Sequence, residues 1–206
     1  MVEPTLNQPG YIRAVVARDD GSTKVDWAHD SAWRFLPPVR DANVGYVLHP
    51  VDLALNKLLA LVGRDEARDF LDVLAVIENT LSLGALCWAA AGKDPGFTPQ
   101  TLLDLLRRRG RIRNEDLERL HLTVMPELTE LKQRWLAALD EADSFISSRP
   151  AQEVGCLYWS RDEQRFVDRD LDRDGVVPHF GRPGGVLPSL AEEAAGGGLS
   201  GADERT

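Results

Sequence analysis

The pattern of apolar and polar positions changes period twice along the chain. Residues 11–18, YIRAVVAR, and 23–29, TKVDWAH, are β-branched or alternating on either side of the turn-forming DDGS, which predicts a hairpin. From Pro50 the period becomes helical. Pro50 suits a first helical position, apolar residues run through Leu61 and Val62, and Gly63 is suited to end the helix in a left-handed conformation. A second helix is predicted over about 65–79, with Phe70, Leu71, Leu74 and Ile77 on one side. A third covers about 82–91, a fourth runs from Thr98 and Pro99 to Gly110, and a short fifth follows Asn114. The sixth and longest spans about 126–146, with Leu128, Leu131, Trp135, Leu139, Ala142 and Ile146 tracing a core stripe. Beyond Pro150, EVGCLYWSRDEQRFV places two strand-like runs around a polar turn, and an acidic loop follows. The order strands, helices, hairpin makes the expected class α+β. The final segment, 189–206, is Gly-rich and free of aromatic residues and is expected to be disordered.

Composition narrows this picture. With 206 residues, 43% hydrophobic and 28% charged, the chain is long enough to bury roughly 70% of the surface its unfolded form exposes, in one main core. A formal charge of −9 argues against a protein that coats nucleic acid by overall charge, though a local basic patch could still hold phosphates. Two cysteines, Cys87 and Cys156, make neither a disulfide framework nor a zinc set, and they suit a reducing compartment. The N-terminus has no basic n-region or apolar h-region, and the longest apolar stretches are too short to cross a bilayer. The expectation is a soluble, cytoplasmic protein with no membrane partner.

Charge placement supplies the candidate chemistry. The first predicted helix has only Asp52, Asn56 and Lys57 as polar members, so Lys57 must snorkel or find an anion. On the second helix Asp65, Arg68, Asp69 and Asp72 fall within about one third of the circumference, opposite Phe70 and Leu74. That strip could be a solvated face with Arg68 and Asp72 paired at i,i+4. Folded back as a helical hairpin, the two strips meet. Lys57 facing carboxylates is then either a structural ion pair or the ammonium that meets a triphosphate beside carboxylates assisting chemistry.

The run DLALNKLLALVGRDEARDFLDV resembles the lysine motif and the arginine–aspartate motif of the AbiEii-type nucleotidyltransferase toxins, the enzyme half of type IV toxin–antitoxin systems, within the polymerase-beta-like superfamily. The flanking HDSAWRFLP and PAQEVGCLYW look like neighbouring segments of that family, so the resemblance extends over about residues 11–185. It implies phosphate contact by Lys57, with Arg64 and Arg68 beside it as nucleotide-binding residues. It also implies an active site completed by Asp72 and, with it, Asp69. The superfamily's Gly-Ser turn and magnesium-binding Asp-x-Asp pair should precede the predicted hairpin, and the sequence as given does not hold them. Gly21-Ser22 has no Asp-x-Asp after it at the right distance. Asp26 could be the third carboxylate, catalytic and metal-binding, that the superfamily places on the next strand, or a solvent-facing strand residue.

Other signals carry less. The cluster RRRGRIR, residues 107–113, could hold an RNA backbone or simply offset a helix dipole. The loop DRDLDRDG mimics the start of a calcium loop at Asp170, Asp172, Asp174 and Gly175, but Gly181 stands where a bidentate Glu is required. The four histidines share no metal spacing. The resulting expectation is a partial nucleotidyltransferase palm sheet at 1–48, a helical domain at 49–149, a hairpin appendage at 150–188 and the tail. Such a protein transfers a nucleoside monophosphate from NTP, with magnesium, to a tRNA-like acceptor, as a toxin restrained by an antitoxin protein, and is weak or inactive without the missing motifs. The alternative is a non-catalytic helical module that binds a protein partner.

Overall fold

The computed structural model describes residues 2–188. They form two compact units that divide between Ala32 and Trp33. The class is α+β, with six α-helices and several small sheets among the described residues. The tail expected to be disordered, 189–206, lies outside the described residues.

The first unit is a three-stranded antiparallel sheet of β1 (Val2–Gln8), β2 (Tyr11–Arg18) and β3 (Gly21–Ala28), with β2 central. The predicted hairpin is β2–β3, in register from Tyr11↔Ala28 to Arg18↔Gly21. Strand β1 was not predicted. Every one of its residues is exposed, so no burial alternation marks it, and Pro4 with the register shift between Pro4 and Leu6 is tolerated because β1 is an edge.

The second unit begins with β4 (Trp33–Arg34) and a hairpin of β5 (Val39–Asp41) and β6 (Gly45–Val47). Asp41 closes that hairpin by accepting the N–H groups of Asn43 and Val44 at 2.8 and 3.0 Å, bonds that hold its carboxyl below the usual range. Helix α1 (Pro50–Arg64) follows, capped by His49, whose Nδ1 accepts from the Val51 N–H at 3.3 Å. It does not end at Gly63. The left-handed residue is Asp65, at φ 55°, and its carboxylate accepts from the Gly110 N–H and from Arg109. Asp tolerates that conformation when its side chain is tied down locally.

Helices α2 (Ala67–Asn79), α3 (Leu83–Lys93), α4 (Pro99–Arg108), α5 (Asn114–Glu118) and α6 (Leu128–Ser148) complete the helical body. Ser82 and Thr98 cap α3 and α4 with their hydroxyls, as their positions before each apolar run require. Helix α3 is the axis of the core: residues Leu83 to Ala91 are all buried, and it packs against α1, α4 and α6. The predicted stripe of α6 is buried at Leu131, Trp135, Leu139 and Ala142. The predicted C-terminal hairpin is β7 (Cys156–Ser160) with β8 (Arg165–Val167), and β7 also pairs with β9 (Val176–Phe180). Leu157 and Phe166 join the main core. Burial pushes both thiols up, Cys156 to about 12, and neither cysteine is in a disulfide. Among the described residues no single helix is long and apolar enough to cross a membrane.

A buried polar clasp ties the chain's early segment to its late one. Asp52 is fully buried, and its two carboxylate oxygens accept the Phe35 and Leu36 N–H groups at 2.8 and 3.0 Å. The Phe35 carbonyl in turn accepts from the Val186 N–H at 3.1 Å and from His179 Nε2 at 3.1 Å. Beside them β4 pairs with β10 (Arg182–Pro183), and Gly185, at φ 77°, lies so close that an added Cβ would stand 2.2 Å from the Leu36 carbonyl carbon. His179 is buried and its Nδ1 has no hydrogen-bond partner among the described residues.

Two predictions follow from the clasp. Replacing Asp52 by Ala strands two buried N–H donors and should lower unfolding free energy by about 2–4 kcal/mol in urea titration, with Asp52→Asn losing less because one acceptor oxygen remains. The second concerns pH. Burial lowers the basicity of His179, opposed by its bond to Phe35 and by Asp52, while Arg182 adds to the lowering; burial lowers that of His49 as well. Both folded values lie below the unfolded 6.5, so below that pH the unfolded chain binds protons the folded chain refuses. Stability should be flat above about pH 6.5 and fall as pH drops beneath it, by at most about 1.4 kcal/mol per pH unit for each histidine. Equal urea midpoints at pH 7.5 and 5.5 would contradict this.

Candidate functional site

Helices α1 and α2 form a hairpin in which two ion pairs nest one inside the other, as antiparallel helices require. At the tip, Arg64 grips Asp69 with two parallel bonds, Nε to Oδ2 at 3.0 Å and Nη2 to Oδ1 at 2.8 Å. Asp69 is 0% exposed whereas the Arg64 side chain is 52% exposed. Its bond to Asp69 raises the guanidinium's basicity further. Two turns back along α1, Lys57 Nζ donates to Asp72 Oδ2 at 2.6 Å, with both side chains about one third exposed at 35%. The apolar length of α1 thus delivers its lysine to the helix–helix seam rather than into the core.

The two aspartates therefore differ in kind. Asp69 has both oxygens engaged and no exposure, so it positions Arg64 and has nothing left to offer a ligand. Asp72 keeps one oxygen open beside a reachable ammonium. Arg68, one turn before Asp72, points outward at 64% exposure, its nearest carboxylate being Glu66 at 3.8 Å. In place of the i,i+4 pairing of Arg68 with Asp72, Asp72 pairs with Lys57 and Arg68 stands beside Glu66.

The Lys57–Asp72 pair lies at the wall of a groove of about 620 Å³, otherwise lined mainly by Val39, Val47, Leu48, Leu53, Ala54 and Val76. At the opposite end of α2 is a different cleft, about 550 Å³, lined by Arg68, Arg111, Arg113 and Arg119 together with Asp65, Glu66 and Asp116. The cluster at 107–113 was legible in the sequence, but its split was not. Arg107 pairs with Asp104 and Asp143 and Arg109 with Asp65, while Arg111 and Arg113 go to the cleft, where Arg68 and Arg119 arrive from other elements.

Asp26 belongs to the first unit. It sits opposite Arg13 across β2 and β3, and both its oxygens are bonded, to Nε at 2.7 Å and Nη2 at 3.0 Å. Those bonds hold its carboxyl below the usual range. Asp26 and Asp69 are each, within their own unit, saturated by a guanidinium group, and among the described residues no three metal-ligating side chains come together, so neither carboxylate fits magnesium as it stands. In the calcium-like loop, Asp172 is engaged by Arg149 at 3.3 and 3.4 Å.

The exposure difference makes a prediction. A pair one third exposed, such as Lys57–Asp72, contributes at most about 1 kcal/mol, so Lys57→Ala should move the thermal midpoint little. Asp69→Ala should destabilise by about 1–3 kcal/mol, because it removes a buried acceptor that holds the start of α2 to the end of α1. Thermal unfolding of the two variants checks the order; a larger loss for Lys57→Ala would make the lysine the structural member.

Comparison of the chain with protein-family models, with curated proteins and with solved structures finds no match, so the functional reading rests on these residues and their geometry.

Proposed function

We propose that the chain carries the lysine–aspartate half of a nucleotidyltransferase centre, in which Lys57 binds the phosphates of a nucleoside triphosphate and a nucleoside monophosphate passes to the end of a tRNA-like acceptor. The observation that supports it is the state of Lys57: an ammonium on an apolar helix, held at 2.6 Å by a single carboxylate oxygen, one third exposed at the wall of a groove. A structural pair would be expected to saturate itself, as Arg64 and Asp69 do. When Lys57 turns from Asp72 to a phosphate oxygen, one anion replaces another and the lysine is never left unpaired. The Asp72 carboxylate so released is the group available to take the acceptor hydroxyl's proton as that oxygen bonds to the α-phosphorus and pyrophosphate leaves. Arg64 and Arg68 add positive charge on the same hairpin. Magnesium is the cofactor the family resemblance implies, and since the described donors do not fit it, no step is assigned to it. In this reading the protein is the toxin of a toxin–antitoxin pair.

A second reading, a helical module that binds a protein partner, draws on the apolar lining of the groove and on the exposure of Val44, Tyr46 and Leu53 nearby in the chain.

Titration with a fluorescent nucleoside triphosphate separates the two. The wild-type chain should bind weakly and Lys57→Ala at least about tenfold more weakly, with Asp72→Asn intermediate. Equal binding by wild type and Lys57→Ala, or none by either, would favour the partner-binding module. With magnesium, labelled triphosphate and total tRNA, the 206-residue chain alone should leave the RNA unlabelled. Robust labelling by it, lost in Lys57→Ala and Asp72→Asn, would show instead that the carboxylates of the α1–α2 hairpin suffice for transfer.

A further inference from the structure

The cleft at the tip of the α1–α2 hairpin is built from side chains that the fold holds outward. Gly110, at φ 68°, turns the chain against the Phe70 ring and Trp135, where an added Cβ would stand 2.9 Å from both. Ile112 is then buried in the core, 7% exposed, and its neighbours Arg111 and Arg113 are left outside. Leu117 is fully buried and pins α5, which brings Asp116 and Arg119 to the same opening. Arg68 closes it from α2.

These cations are poorly neutralised. The side chains of Arg68, Arg113 and Arg119 are 64%, 80% and 78% exposed, and their nearest carboxylates stand at 3.8, 3.9 and 3.4 Å, long for charge-assisted bonds. Arg111 is exposed and has no ion-pair partner among the described residues. In a chain of formal charge −9, this cleft sets four arginines from three separate segments against Asp65, Glu66 and Asp116, so its lining is net positive.

We propose that this cleft binds consecutive phosphates of an RNA backbone. A single phosphate is a poor fit, because the guanidinium groups come from the start of α2, residues 111–113 and the end of α5 rather than converging, and carboxylates of Asp65, Glu66 and Asp116 are interspersed. An extended polyanion can meet spaced cations one phosphate at a time and pass between the acids. The cleft stands on its own geometry. That the polyanion is RNA rests on the transfer reaction proposed above; Arg68 of the cleft and Asp72, the partner of Lys57, lie one turn apart on α2, roughly 6 Å along the axis.

The test is fluorescence anisotropy of a labelled single-stranded RNA with the full chain at two or more salt concentrations. Four phosphate contacts predict a log–log salt slope of about −3, and the double variant Arg111→Gln/Arg113→Gln should lose at least about tenfold in affinity at low salt and about half of that slope. Both positions are exposed, so thermal midpoints should match wild type. Arg169→Gln, outside the cleft, should bind as wild type does. Unchanged binding in the double variant, an equal loss in Arg169→Gln, or displacement of RNA by tripolyphosphate at equal phosphate concentration would each overturn the proposal. Lys57→Ala keeps the two proposals apart. RNA binding that survives in it while triphosphate binding is lost supports both. RNA binding by a wild-type chain that takes no triphosphate supports the cleft and removes the transfer reading.

Discussion

A buried carboxylate that makes no ion pair among the described residues organises the second unit. Asp52 stands in the first turn of α1, where the helix dipole favours a negative charge, and spends both oxygens on the backbone of Phe35 and Leu36. An uncompensated buried charge is among the most expensive features a core can carry, and here two peptide N–H groups and a helix start answer it. The consequence is long in range. Phe35, thus fixed, offers its carbonyl to His179 and Val186, so one carboxylate sets the path of residues 33–37, the start of α1 and the return of the chain after β9. The lysine that carries the proposed chemistry is on the same helix, five residues on.

The hairpin of α1 and α2 then shows two treatments of the same interaction. Arg64 and Asp69 spend their complementarity on each other: the acid is buried, the fork is bidentate, and the pair fastens the helix ends. Lys57 and Asp72 share one bond and keep contact with solvent. A point charge on a flexible stem can exchange partners at little cost where a planar bidentate fork cannot. That contrast, rather than the presence of charge, distinguishes a holding pair from an available one on a helix face that carries both.

Much of this was legible in the sequence. The helical period from Pro50, the stripe Leu131, Trp135, Leu139, Ala142, the strand alternation around DDGS and the isolation of Lys57 are all local patterns, and local patterns survive in a string of letters. The clasp was not. Asp52 and Phe35 are 17 residues apart and Phe35 and His179 are 144 apart, and nothing near a lone histidine announces a carbonyl at that separation. Strands β4 and β10, two residues each, exist only because tertiary contacts hold them together. The end of α1 moved from Gly63 to Asp65 for a similar reason: Gly63 had the better intrinsic claim to a left-handed turn, but Asp65 gained the Gly110 N–H and Arg109. Asp69 and Asp72 could not be told apart by spacing, since both lie on the strip that meets α1 and only the depth of the seam separates a buried acid from an open one.

Position along α2 also orders the chemistry of the surface. Arg68 at its start belongs to the arginine cleft, Asp72 one turn later holds Lys57, and Ala75, Val76 and Asn79 run on into the apolar groove. A single helix face therefore passes from cationic through an exchangeable ion pair to apolar within its 13 residues. A nucleotide has the same gradient, from phosphates that require cations to a base that favours apolar contact. A protein helix docked on this face would have to desolvate Arg68 and Lys57 at one end in order to use Val76 at the other. That asymmetry weighs toward a small phosphorylated ligand over a wholly apolar partner, because it asks each part of the occupant to meet the kind of surface it already prefers.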